Sequence, residues 1–260
     1  MLFRSDLAIA VAGLLVGFTV GLTGMGGGAL MTPILVLFFR VAPLAAVSSD
    51  LVASLVMKPV GGGLHWRRGT VRKDIVVWLA VGSVPAAFAG VLLLRALGAA
   101  HTQDLLKRAL GLALIASAAA IVLRARIQHL RDRGREPGPA VLNRPATIAI
   151  GAIGGLIVGM TSVGSGSLII VMLLFLYPGL GPAELVGTDL VQAIPLVGAA
   201  ALGHLLFGAF KLGLTAALLA GAIPGVYVGA HLSSRASQRV VRPALFAVLL
   251  TSGLKLVQVI

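Results

Sequence analysis

Long apolar stretches alternate with short polar connections along this chain. No Lys, Arg, Asp or Glu interrupts Leu7–Phe39, Ile75–Leu94, Ala146–Ala183 or Leu212–Ser234. A helix crosses the ~30 Å hydrocarbon core with ~20 apolar residues, so several runs are long enough to span. The pattern predicts helices over Leu7–Leu22, Ala29–Phe39, Pro43–Leu64, Ile75–Leu94 and Asp104–Leu123. A second set is predicted over Ala146–Met160, Ser167–Tyr177, Pro182–Leu206, Leu212–Ser233 and Pro243–Val259. Pro43 and Pro182 fall in a first helical turn, where proline is favoured.

The two sets correspond. Gly17, Val20, Gly21, Thr23, Gly26, Gly28 and Leu30 recur in order as Gly155, Val158, Gly159, Thr161, Gly164, Gly166 and Leu168. Further on, Pro43, Asp50-Leu51-Val52, His65, Gly69, Gly82, Pro85 and Gly90 match Pro182, Asp189-Leu190-Val191, His204, Gly208, Gly221, Pro224 and Gly229. The expected organisation is a first transmembrane repeat over 1–123, a basic linker over 124–145 and a second repeat over 146–260. Paired helix interruptions at corresponding positions point to the binding site of a secondary transporter.

Orientation depends on the Gly-rich segments. The basic loops holding Arg67, Arg68, Arg72 and Lys73, and Arg124 to Arg144, are expected to be cytoplasmic. A single broken crossing of Leu7–Phe39 would make the repeats parallel, whereas a hairpin would invert them. Both arrangements give the same split of Lys and Arg. Length favours the hairpin: Ala146–Tyr177 as one helix would run ~48 Å at ~1.5 Å per residue, against a ~30 Å core. The expected fold is therefore an all-α polytopic membrane protein of two inverted repeats. Each has a Gly-rich re-entrant hairpin and three spanning helices, and both termini face the periplasm.

Composition agrees with that class. The chain is 58% hydrophobic and 11% charged, with mean hydropathy +1.04; soluble proteins carry ~25% charged residues. Arg4 before an apolar stretch imitates a signal peptide, but that stretch outlasts an h-region of ~7–15 residues and carries half of the repeat. The net charge of +13 is read as loop orientation, not nucleic-acid binding. The absence of cysteine removes disulfide, iron–sulfur and thiol chemistry. Gly24-Met25-Gly26-Gly27-Gly28-Ala29 follows no strand, so a dinucleotide fingerprint fails its context.

These landmarks resemble the TauE/SafE family of sulfite and organosulfonate exporters over nearly the whole chain. The resemblance rests on the Gly-rich segments, Ser48-Ser49-Asp50-Leu51, His65-Trp66-Arg67-Arg68-Gly69-Thr70-Val71, Gly187-Thr188-Asp189-Leu190, and Gly203-His204 with Gly208. It implies a permease for a small anion, sulfite or an organosulfonate, in the bacterial cytoplasmic membrane. Where many members carry Gly-Thr-Ser, this chain has Ser-Ser-Asp and Gly-Thr-Asp.

The residues themselves suggest where an anion would sit. A helix starting near Gly28 leaves its first N–H groups unpaired and carries roughly +0.5 charge at that end, which suits an anion. The expected binding set is Thr23, Gly24, Gly26, Gly27, Gly28, Thr161, Ser162, Gly164, Ser165, Gly166 and Ser167, with Lys58. Tight packing of small residues is the competing explanation of the glycines. Asp50, Asp189, Gln192, His65 and His204 are expected to couple transport or to anchor helix ends. Intramembrane charge costs at least ~2.5–3.5 kcal/mol, so Lys58 needs an anionic partner, either the substrate or Asp189. No metal site and no cofactor are expected, and homo-oligomerisation is left open. Two alternative readings are an intramembrane hydrolase using Ser165 and His204, and a non-transporting membrane scaffold.

Overall fold

A computed structural model describes residues 2–23, 27–96, 98–131, 141–232 and 238–258. They form ten helices: α1 (Leu2–Thr23), α2 (Gly28–Leu37), α3 (Pro43–Arg67), α4 (Lys73–Ala96), α5 (Gly98–Arg131), α6 (Arg144–Thr161), α7 (Leu168–Leu176), α8 (Pro182–Phe207), α9 (Leu212–Leu232) and α10 (Gln238–Gln258). Among the described residues, six stretches, in α3, α4, α5, α6, α8 and α9, are long and apolar enough to cross a membrane. The apolar runs locate every helix. The ends shift where polar sequence continues the helix, most in α5, which runs through Arg124 and Arg126 to Arg131. Most of the expected linker is therefore helical or outside the described residues.

The exterior is apolar and the interior partly polar. Leu7, Leu112, Leu206 and Tyr227 are exposed, whereas Asp50, Lys58, Asp189, Gln192 and His204 are buried. That distribution suits a lipid surround, in which polar groups must find partners inside the protein. α3 and α8 are the most enclosed spans and carry all five of those polar residues.

Helix directions follow from contacts. Ser48 near the start of α3 bonds His204 near the end of α8, and Gly62 near the end of α3 meets Val191 and Ile194 near the start of α8. These corresponding helices run antiparallel. So do α5 and α10, where Gly111 meets Val257 and Gly253 meets Ile115. By contrast, α4 and α6 run parallel, with Leu79, Ser83 and Ala87 against Gly151, Gly155 and Gly159. α1 and α9 do the same, with Ala10, Leu14 and Phe18 against Gly221, Gly225 and Gly229. Each ladder is a small-xxx-small stripe that lets two backbones approach closely. Gly17, Gly90, Gly155, Gly159, Gly221 and Gly229, part of the duplicated pattern, serve this packing.

The α6–α7 pair is a hairpin. The Tyr177 hydroxyl meets the Thr147 hydroxyl and accepts from the Asn143 backbone N–H at 3.1 Å. Its far end thus returns to where α6 begins. Gly154 meets Ile169 midway. The loop after α3 lies on this same face: the Arg72 N–H donates to Thr188 Oγ1 at 3.1 Å, and Gly187 of α8 abuts the Thr70 carbonyl. Arg72 also donates to Asp74 at 2.6 Å, and those bonds hold its guanidinium above the ordinary arginine range.

Candidate functional site

Two helix interruptions meet at the centre. The second begins where α6 ends at Ser162, which has a left-handed φ of 60° and bonds Val158 through its N–H. Gly164 and Gly166 follow at φ of 122° and 89°, a backbone that side-chain-bearing residues rarely adopt. The N–H groups of Ser167, Leu168 and Ile169 all converge on the Gly164 carbonyl, at 3.4, 2.9 and 3.3 Å. One carbonyl shared by three donors leaves the start of α7 with residual donor character. At the first interruption, Leu30 and Met31 donate to the Gly27 carbonyl at 3.0 and 2.8 Å. Gly28 touches Ser162, and a Cβ at Gly28 would collide with the Ser162 carbonyl oxygen. The two interruptions are therefore in contact.

The central helices bring charge to that junction. Asp50 of α3 accepts hydrogen bonds from Ser162 Oγ at 2.6 Å and from Thr32 Oγ1 of α2 at 3.1 Å, both on Oδ2. It ties one interruption to the other. Lys58, two turns further along α3 and only 6% exposed, donates to Ser165 Oγ at 2.8 Å. Asp50 and Asp189 lie within its electrostatic range, yet among the described residues neither forms an ion pair with it within 4.0 Å. Asp189 has Lys58 and the Gly166 amide as neighbours, but neither carboxylate oxygen closes a hydrogen bond of good geometry.

The remaining expected residues divide. Gly27, Gly28, Ser162, Gly164, Ser165, Gly166, Lys58, Asp50 and Asp189 gather at the junction. Gly24 and Gly26 lie outside the described residues. Thr161 bonds its own helix and Val163. Thr23 bonds Thr19, and Ser167 donates to Ser117 of α5 at 2.9 Å. Gln192 donates to Ser83 of α4 at 2.6 Å. His204 bridges Ser48 and the Gly159 carbonyl, at 2.8 and 2.9 Å, and so clamps α8 to α3 and α6. His65 bonds Thr70 Oγ1 at 2.8 Å, just past the end of α3. No hydrogen bond joins Ser165 to His204, the pair a hydrolase would need. Among the described residues, no cluster of His, Asp or Glu could hold a metal.

Sequence reasoning missed Thr32, Ser48, Ser83, Ser117 and Arg124. Ser117 and Arg124 are seven residues apart, so two helical turns place them on one face of α5. That spacing was a readable signal. A cavity of about 300 Å³ lies beside this face, where Thr23, Gly166 and Ser167 meet His65 and Arg124.

The family model described as "Sulfite exporter TauE/SafE" matches residues 9–256. The chain is 39% identical over 255 residues to the probable membrane transporter protein YjnA of Bacillus subtilis (strain 168), covering 97% of this chain and 100% of that one. It is 25% identical over 242 residues to the probable membrane transporter protein YdhB of the same organism, covering 93% and 96%. No solved structure matches.

Proposed function

The chain belongs to the sulfite exporter TauE/SafE family and is a multi-pass membrane transporter, and from that premise we propose that it carries a small sulfur oxyanion or sulfonate, sulfite first among them, through the junction of its two helix interruptions. The observation that carries this reading is Lys58. Its ammonium is buried at the junction, is bonded to a neutral hydroxyl, and makes no ion pair within reach among the described residues. A buried cation is costly without an anion, and a carried anion would supply one. Ser165 Oγ and the residual donors at the start of α7 would complete its shell. Asp50 and Asp189 keep that shell from holding the anion too tightly for release.

The organisation proposed around this site is two inverted repeats, 1–123 and 146–260, each opening with a re-entrant hairpin. The antiparallel course of α3 against α8 and of α5 against α10 supports it, because parallel repeats would place corresponding helices in the same direction. The basic loop after α3 and the linker face share one side, which the positive-inside rule makes cytoplasmic. The membrane is then the bacterial cytoplasmic membrane, with both termini outside.

Flux of radiolabelled sulfite into proteoliposomes tests the function. Lys58→Met is expected to lower flux about 10–100-fold, the equivalent of a charge-assisted hydrogen bond of ~1.5–3 kcal/mol, while leaving the folded yield near that of the native chain. Native flux in the variant would overturn the role of Lys58. The native chain has no cysteine, so topology is read separately: Arg68→Cys and Lys211→Cys should label from opposite sides of intact cells. Labelling from one side would favour parallel repeats.

A further inference from the structure

The cavity beside α5 has features that carriage at Lys58 does not require. Its wall includes His65 at the end of α3, Ala183 in the first turn of α8, and Arg124 of α5. Gly166 and Ser167 form its floor. No Asp or Glu lines it among the described residues. The floor belongs to the same three-residue segment as Ser165, whose hydroxyl Lys58 engages. The cavity and Lys58 thus contact adjacent residues of one short segment. On the face of α5 that carries Arg124, Ser117 receives the Ser167 hydroxyl, which fixes α5 against the floor. Asp189 lies within electrostatic range of both Lys58 and Arg124, so the two cations act on one carboxylate.

We infer that this cavity is a second anion site, distinct from that at Lys58, in which Arg124 holds a sulfonate or sulfur oxyanion on the cytoplasmic side of the junction. The planar guanidinium offers donors in a fork that matches two oxygens of such an anion. A concave wall bearing cationic charge and, among the described residues, no acid raises the local concentration of anions. A volume of about 300 Å³ admits a small sulfonate together with part of its hydration shell. An anion here would be one residue from the Ser165 hydroxyl, and Asp189, within electrostatic range of both cations, is a charge that either anion must outcompete. The functional meaning of this second site rests on the transport reading, but its occupancy does not.

The test uses the purified full-length chain with one introduced cysteine, Ala183→Cys, at an exposed wall position. Two thiosulfonate reagents are compared, one bearing a sulfonate and one a trimethylammonium group. Electrostatic focusing predicts labelling about tenfold faster by the anionic reagent, with methanesulfonate slowing it. Adding Arg124→Gln should bring the ratio of rates near one, and Arg124→Lys should retain most of the preference. Arg68→Gln, outside the cavity, should leave the ratio unchanged. A ratio near one with Arg124 present, or a ratio unaltered by Arg124→Gln, would overturn the site. A ratio that depends on Arg124 in a protein that moves no sulfite would uphold the site and remove the transport reading instead.

Discussion

The two Gly-rich interruptions share one sequence pattern, yet they differ in chemistry. At the first, the start of α2 is pressed against Ser162, and the acid of the neighbouring central helix, Asp50, collects two hydroxyl donors. At the second, the start of α7 borders a cavity, Ser165 engages Lys58, and the corresponding acid, Asp189, closes no good hydrogen bond. Few substitutions account for this. Ser165 occupies the place of Gly27, and Lys58 has Val197 as its counterpart. The first interruption is a joint, and the second gathers a buried cation and hydroxyls beside a cavity. Both share a glycine-rich break, and a cation and a hydroxyl on one side only make the junction asymmetric.

The sharpest way to break that comparison is to enlarge the joint. A Cβ at Gly28 would overlap the Ser162 backbone oxygen, and no rotamer change moves a backbone atom aside. Gly28→Val is therefore expected to destabilise by at least the ~1–3 kcal/mol typical of overpacking, seen as lost yield and a lower thermal midpoint in detergent. At Gly27, a Cβ would meet the Met57 methyl at 3.2 Å, the flexible end of a side chain. The backbone there is already helical, with φ −59° and ψ −30°, so Gly27→Ala should be near neutral. Equal damage from the two substitutions would mean that the joint is not where these contacts place it.

Much of this architecture is legible in the sequence, because lipid demands uninterrupted apolar helices and leaves few alternatives. Ala146–Tyr177 was too long for one crossing, and the Tyr177 contacts with Asn143 and Thr147 agree with the hairpin that its length suggested. What the repeated glycines do was harder to read. Gly155 and Gly159 sit in the same motif as Gly164 and Gly166, but the first pair packs against α4 while the second shapes a turn. Sequence spacing does not separate these roles, because both need a missing side chain. Arg124 was counted only as a loop charge, since the extension of α5 beyond its apolar core is not written in hydropathy. The partners of Asp50 come from α2 and α6, and contacts of that range have no signature in a single sequence.

A smaller effect separates the two acids. Ser162→Ala removes one of the two donors to Asp50 and leaves a buried carboxylate under-satisfied, at a cost of ~1–3 kcal/mol. Asp189→Asn removes a charge whose oxygens close no hydrogen bond of good geometry, so its stability cost should be the lesser. Flux should respond in the opposite order, because Asp189 neighbours Lys58 and Arg124. Thermal unfolding in detergent, paired with sulfite flux, reads both quantities. A greater loss of stability from Asp189→Asn than from Ser162→Ala would show that both acids anchor helices, and the asymmetry between the interruptions would disappear.

The finest distinction concerns Ser165, which sits where the first repeat has glycine. Its hydroxyl accepts from the Lys58 ammonium, and it is buried at the turn. Ser165→Ala removes that acceptor but leaves the cation and the turn in place. Native Ser165 competes with a bound anion for the same ammonium protons, yet it also positions the ammonium and can donate its own proton to the anion. Loss of one neutral hydrogen bond corresponds to ~0.5–1.5 kcal/mol, or roughly 2–10-fold in half-saturating sulfite concentration. Affinity is therefore expected to fall by that factor if positioning prevails, with maximal flux and unfolding temperature nearly unchanged. Tighter half-saturation in the variant would show that the hydroxyl mainly competes with the substrate. Unchanged kinetics accompanied by marked destabilisation would reduce the Lys58–Ser165 contact to a strut, and the second interruption would then be a joint like the first.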